Sequence, residues 1–225
     1  MSPMDVSLRT IDMTETIADT RFWDRVARKY AADPIKDMAW YERTLDCTRQ
    51  YLRSTDSILE LGCGTGTTAL KLAPHVSRLV ATDVSSEMIT IAREKAAAQG
   101  CANAEFVVGS AHHARWPERA FDAVLAFNLL HLLTERPALF AKSTGLLKPG
   151  GLFITKAPCL AEMSGLIRLA VPVLRVIGKA PNVEFFTAAE LLNEIEAAGF
   201  TVVEQARHGS QRKDARIFIV AKSRH

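Results

Sequence analysis

Glu60, Gly62, Gly64 and Gly66 alternate with other residues inside the stretch Ile58-Leu59-Glu60-Leu61-Gly62-Cys63-Gly64-Thr65-Gly66-Thr67. A turn of small residues and glycines keeps side chains out of the way, so its backbone can come within contact distance of a ligand. Ile58 to Leu61 is a short apolar run, suited to a strand buried on both faces of a parallel sheet. Thr67 to Ala73 continues with helix spacing, with Leu70 and Leu72 beside Ala69 and Ala73. Strand, glycine turn and helix form the unit with which open α/β sheets hold nucleotide-like ligands, at the carboxyl ends of their strands. A second apolar run, Arg78 to Thr82, ends at Asp83, about 20 residues past the turn, where an acid marks ribose binding. A carboxylate accepts hydrogen bonds from both hydroxyls of a vicinal diol. Ser85 and Ser86 are available to cap the next helix, which leaves Asp83 for a ligand.

The glycine spacing departs from the dinucleotide fingerprint, which calls for Gly or Ala where this chain has Thr67. Glu60-x-Gly62-x-Gly64-x-Gly66 instead resembles the nucleoside-binding motif of class I S-adenosylmethionine-dependent methyltransferases. Other segments extend the likeness. Phe22-Trp23-Asp24-Arg25-Val26-Ala27-Arg28-Lys29-Tyr30 is similar to an N-terminal helical segment that covers the cofactor in small-molecule members. Phe121-Asp122-Ala123-Val124 resembles the family's strand-opening sequence, and Leu147-Lys148-Pro149-Gly150-Gly151 a frequent turn. The resemblance runs over nearly the whole chain from about Arg21. It implies S-adenosylmethionine as cofactor and S-adenosylhomocysteine as product. It also implies a cofactor set of Tyr30, Glu60, Gly62, Cys63, Gly64, Gly66, Asp83, Val84, Met88, Ser110, Ala111 and Asn128. Val84 and Met88 would line the adenine. Many relatives carry Asp at the position of Ser110, whose neutral hydroxyl makes a weaker contact to the adenine amino group.

Asn128-Leu129-Leu130-His131 follows the fourth strand. Methyltransferases of nucleic-acid bases usually have Asp/Asn-Pro-Pro-Tyr/Phe here to hold a flipped base. Both prolines and the aromatic are missing, which argues against a nucleic-acid partner, as does a net charge of only +3. His131 is the candidate general base at the transfer site, since imidazole takes a proton near neutral pH, and Tyr30 is the second transfer-site candidate. His112 and His113 follow the adenine loop as surface or loop contacts. Pro158-Cys159 has no activating neighbours and reads as a buried thiol.

These residues require an ordered scaffold. The 225 residues, 48% hydrophobic and 24% charged, suit one α/β domain. The expected fold is a doubly wound, mostly parallel seven-stranded sheet, the strand number and the closing hairpin coming from the resemblance. Residues 1–20 form a flexible lead-in and 21–225 the methyltransferase domain, with a helical cover over 21–53. Cys47, Cys63, Cys101 and Cys159 show no Cys-x-x-Cys spacing, so free thiols and no metal site are expected. Without a signal-peptide core in the first twenty residues, or a run of about 20 apolar residues, a cytoplasmic location is expected.

Residues 157–186 are longer than a strand-to-helix loop needs to be. If 166–179 is helical, Arg168, Arg175 and Lys179 project within about 20–40° of one another and the remainder is apolar, with a kink at Pro172. This insert reads as a lid over a hydrophobic substrate. A packing helix with a basic rim and a peripheral membrane contact through 164–179 are the alternatives. The sequence thus points to methyl transfer to a small, apolar molecule. The alternatives are a polar-metabolite or membrane-lipid methyltransferase, and a cofactor-binding protein without turnover. A nicotinamide-dependent oxidoreductase is disfavoured by Glu60 and Thr67. The acceptor atom and oligomeric state are left open.

Overall fold

The computed structural model describes residues 13–111, 116–163, 180–208 and 215–225, with the backbone alone for 13–19. His112, His113 and the basic face of Arg168, Arg175 and Lys179 lie outside the described residues, as does the 164–179 segment assigned to a lid or membrane contact.

Seven strands form one sheet: β1 (Ser57–Leu61), β2 (Arg78–Asp83), β3 (Ala104–Val108), β4 (Phe121–Phe127), β5 (Leu147–Pro158), β6 (Phe200–Ala206) and β7 (Arg216–Ser223). Their order is β3-β2-β1-β4-β5-β7-β6. Pairing is parallel from β3 through to β5, and β7 runs antiparallel between β5 and β6. The apolar runs Ile58-Leu59 and Ala123-Val124-Leu125-Ala126 are almost wholly buried because helices cover both faces of the central strands. On one face lie α2 (Met38–Arg49), α3 (Thr67–Leu72) and α4 (Ser86–Ala98), contributing Leu45, Leu70, Ile89 and Ala92. On the other lie α5 (Arg136–Leu146) and α6 (Ala188–Ala197), contributing Leu139, Phe140, Leu191 and Ile195. Thr187 caps α6 and Glu190 completes the reciprocal capping box, as its spacing foretells. The strand order reverses between β1 and β4, so a crevice opens at their carboxyl ends.

Three boundaries differ from the sequence reading. Helix α1 spans Met13–Ala32, eight residues ahead of the expected start at Arg21, so the lead-in is shorter than 1–20. The Leu147-Lys148-Pro149-Gly150-Gly151 turn is not a separate connection but lies within β5. Leu147 pairs with Phe121 and Leu152 with Ala123, and the residues between loop out. Gly150 makes this possible with φ +71, and Lys148 Nζ binds both Asp122 oxygens at 2.7 and 2.9 Å. In the described parts of 157–186, the regular structure is the end of β5 and one 3-10 turn, Leu160–Glu162.

Helix α1 lies on α4. Ala27 packs with Met88 and Ile91, with Trp23 beside them. Arg28 reaches Glu87 at 2.5 Å and Glu94 at 2.7 Å. All three charged groups are substantially exposed, so these pairs orient α1 more than they stabilise it.

Candidate active site

The turn after β1 is held by three left-handed glycines with distinct tasks. Gly62 (φ +66) would place a Cβ 2.7 Å from a Leu129 methyl, and Gly66 (φ +73) one at 2.7 Å from the Phe106 ring and 2.8 Å from Ala92 Cβ. Both are required by packing. A Cβ on Gly64 (φ +53) would meet only Tyr30 Cε1, at 4.0 Å. Gly64 therefore marks the open side, where a ligand can touch backbone. Gly66 is not in the cleft wall, which corrects its place in the expected cofactor set: it lets α4 and β3 approach the turn.

Two acids flank the turn. Glu60 is 2% exposed, and its Oε2 has no hydrogen-bond partner among the described residues. Burial, and then the nearby Asp83 charge, push its carboxyl up to about 8. A buried carboxyl with an unmet oxygen at a cleft suits a cationic ligand group, which would supply both charge and donor. Asp83 is less free than the sequence suggests. Its Oδ2 accepts from Gly64 N and its Oδ1 from Ser85 N, both at 2.9 Å. It still holds unused lone pairs for a diol. Burial raises its pKa, and the bonds from Ser85 and Gly64 act against that. The helix cap is Ser85, whose Oγ accepts from Met88 N at 3.1 Å.

Helix α1 closes the site. Asp24 Oδ1 accepts from Ser85 Oγ at 2.6 Å and from Glu87 N at 3.2 Å, tying the cover to the start of α4. One turn and a half further on, Tyr30 leans over Gly64 and remains 54% exposed. Its phenol is raised by the surrounding protein and by Asp83. Val84, Met88, Ser110, Ala111 and Asn128 all line the same cleft, as do Gly62 and Cys63. Asn128 ends β4 with φ +52, and its N–H donates to Lys156 O at 2.8 Å.

His131 is not brought to this wall, although Leu129, Leu132 and Leu133 are. It sits on the 3-10 turn Leu130–Leu132 with a buried Nδ1 that has no partner among the described residues. Burial lowers its pKa to about 4. Such an imidazole stays neutral and is a poor proton acceptor near pH 7, so the ground for a general base at this position is lost.

Sequence reasoning missed several wall residues. Lys95 Nζ binds Thr65 Oγ1 at 2.9 Å and Thr67 Oγ1 at 3.1 Å, bracing the turn from α4. Tyr41 Oη meets Thr68 Oγ1 at 3.1 Å. Trp40 and Lys156 also face the cleft. Their only advance signal was the helix spacing of Trp40 and Tyr41, which reads equally as core. The cleft measures about 1020 Å³. A single ligand commonly occupies about 300–1,000 Å³, so there is room for a cofactor and an acceptor. Glu60, Gly64 and Asp83 stand together on its wall, Asp83 bonded to Gly64 N. The rest of the wall mixes apolar Trp40, Leu132 and Leu133 with charged Lys36, Glu135 and Arg216.

A glycine turn at the strand-order reversal, an acid at the end of β2 and a β7 that runs antiparallel define a class I methyltransferase scaffold. Residues 58–151 match the family profile described as a methyltransferase domain, and that match together with the sheet order supports a class I S-adenosylmethionine-dependent methyltransferase. It is 25% identical over 160 residues to the ubiquinone/menaquinone biosynthesis C-methyltransferase UbiE of Francisella tularensis subsp. novicida. That alignment covers 69% of this chain and 59% of the relative, so the chain spans somewhat over half the length of the curated relatives it matches. The uncharacterized methyltransferase YcgJ of Bacillus subtilis is 26% identical over 119 residues, covering 53% of this chain and 45% of YcgJ. Its crystal structure superposes with a TM-score of 0.68 over 82% of this chain and 99% of YcgJ, at 17% identity. The [4+2]-cyclase SpnF shares the fold at a TM-score of 0.65 and 18% identity, over 80% of each chain. The scaffold by itself therefore does not fix the reaction.

Proposed function

We propose that this protein transfers a methyl group from S-adenosylmethionine to a small, apolar acceptor held in the same cleft. The observation that carries the reading is the composition of that cleft's lining. Around the glycine turn it has a buried carboxyl with an unmet oxygen at Glu60, an open backbone at Gly64 and a carboxylate at Asp83. The same lining also carries Trp40, Leu129, Leu132 and Leu133, the apolar surface that an acceptor would meet. Bound there, the cofactor supplies an activated methyl on a sulfonium. Glu60 fits its ammonium group and Asp83 its ribose hydroxyls, as carboxylates accept hydrogen bonds and offer none when ionised. Tyr30 and the α1 cover shield the transfer point from water.

The chain's remaining task is alignment, because an in-line displacement at a sulfonium needs reacting atoms held about 3–3.5 Å apart. No proton acceptor is assigned to His131. Pro181 and Asn182 line the cleft where the 157–186 insert returns to the body, which supports the lid reading of that insert. The name of the curated UbiE relatives, ubiquinone/menaquinone biosynthesis C-methyltransferase, is in keeping with an acceptor from quinone biosynthesis.

The test uses methyl-labelled S-adenosylmethionine with a cell extract divided into lipid, polar-metabolite, protein and RNA fractions, and Asp83→Ala as control. Label in the lipid fraction that Asp83→Ala abolishes is the expected result. Label confined to polar metabolites overturns the apolar acceptor. No label, with cofactor binding intact by calorimetry, overturns methyl transfer.

A further inference from the structure

Away from the glycine turn, Cys47 on α2, Glu204 on β6 and His208 just after β6 bring a thiol, a carboxylate and an imidazole together, with the three candidate donor atoms all within 4.8 Å of one another. We propose that this triad is a zinc site with three protein ligands, which pins α2 to the outer edge of the sheet. It stands apart from the methyl-transfer reading and survives its failure.

The geometry of the first two donors suits the metal. Cys47 Sγ and His208 Nε2 are 3.6 Å apart. With Zn–S at about 2.3 Å, Zn–N at about 2.0–2.1 Å and a tetrahedral angle, the two atoms stand about 3.5–3.6 Å apart. The imidazole presents the right nitrogen. Thr44 Oγ1 donates to Trp40 O at 2.9 Å and receives Lys156 Nζ at 2.7 Å. It therefore meets His208 Nδ1, 3.3 Å away, as an acceptor. The ring proton sits on Nδ1 and the Nε2 lone pair faces Cys47. A metal-binding histidine is held in this way, its other nitrogen donating to an oxygen. The carboxylate is likewise supported, with Tyr51 Oη donating to Glu204 Oε2 at 2.5 Å.

The backbone aims Glu204 at this face. Register breaks in β6 between Val202, paired with Ala221, and Glu204, paired with Val220. The extra residue, Val203, turns Glu204 to the opposite side of the sheet from Val202. Val202 packs on the α5–α6 side, whereas Ala206 beyond the bulge packs on the α2 side. Without the bulge, strict alternation would put Glu204 with Val202, on the face away from Cys47. Bulges recur where a side chain must be re-aimed. Thiolate and carboxylate together balance a divalent cation, and a mixed S, N, O set favours zinc among the common metals. Binding forms the Zn–S bond and releases the Cys47 thiol proton to solvent. Thr44, Trp40 and Tyr41 on the same helix line the cleft, so the metal would fix one of its walls.

The experiment is a cobalt(II) titration of the full, tag-free chain after chelation. A thiolate-to-cobalt charge-transfer band should saturate at one equivalent and be displaced by zinc. Cys47→Ser should remove it, and Tyr51→Phe, which leaves all three ligands, should weaken affinity about tenfold. Because Cys47→Ser can disturb packing, alkylation of the unmodified chain is mapped with and without zinc. Zinc should protect Cys47 and spare Cys101, which has similar partial exposure. Absence of a saturable thiolate band, retention of the band in Cys47→Ser, or unchanged Cys47 alkylation would each overturn the site.

Discussion

Replacing Glu60 by Gln should stabilise the apo protein while weakening its hold on cofactor. The native carboxyl titrates at about 8 against a usual value of 4.5. The unfolded chain therefore releases this proton near pH 4.5, whereas the native state keeps it to near pH 8. Across that window the native state binds more protons, so folding stability falls as pH rises. At 1.36 kcal/mol per pH unit, the difference is just under about 1 kcal/mol at pH 5 and about 3 kcal/mol at pH 7. Gln keeps the shape and removes the ionisation. In a chain of 225 residues, 1 kcal/mol moves Tm by about 2–4 °C. The apo variant should then melt within roughly 3 °C of the wild type at pH 5 and roughly 6–12 °C above it at pH 7. Cofactor affinity should rise from pH 6.5 to 8.5 in the wild type, as Glu60 ionises toward a cationic group, and stay flat in Glu60→Gln. Paired thermal melts and calorimetric titrations read both effects. A melting difference that is the same at pH 5 and pH 8 refutes the reasoning, since it would mean that Glu60 carries no raised pKa.

His131 should act in the opposite sense. Its native pKa of about 4 lies below the usual 6.5, so stability is lost as pH falls from 6.5 toward 4. His131→Gln should be relieved of about 2 kcal/mol of that loss at pH 5. Denaturant melts of both proteins at pH 7 and pH 5 check it, with Glu60 cancelling in the comparison. Two alanines in one turn should separate stability from binding. Gly64→Ala carries a left-handed penalty of about 1 kcal/mol and should fold, but its Cβ faces the cleft, so calorimetry should show cofactor binding lost. Gly66→Ala adds overpacking against Phe106 and Ala92, for a total of about 2–4 kcal/mol, and should lower Tm several degrees further. Equal Tm losses would contradict the division of tasks.

The sequence by itself determined the strands and the turn. Apolar runs such as Phe121 to Phe127 can only be buried, left-handed positions select glycine, and the Thr187–Glu190 cap is a local bond; all are settled by neighbours in the chain. It also named the acids at the cleft, because Glu60 stands two residues before the first glycine of the turn and Asp83 closes β2. What each side chain meets was decided by tertiary structure. Gly64 and Gly66 look alike in sequence, yet one faces open space and the other Phe106. Asp83 read as free until the fold brought Gly64 N to it. His131 read as a base at its place in the chain, but the 3-10 turn buries its Nδ1 and leaves it off the cleft wall. Cys47 and His208 are separated by 161 residues, and a single inserted residue in β6 chooses the face that Glu204 joins. Contacts of that range depend on strand order and register, which no local pattern encodes.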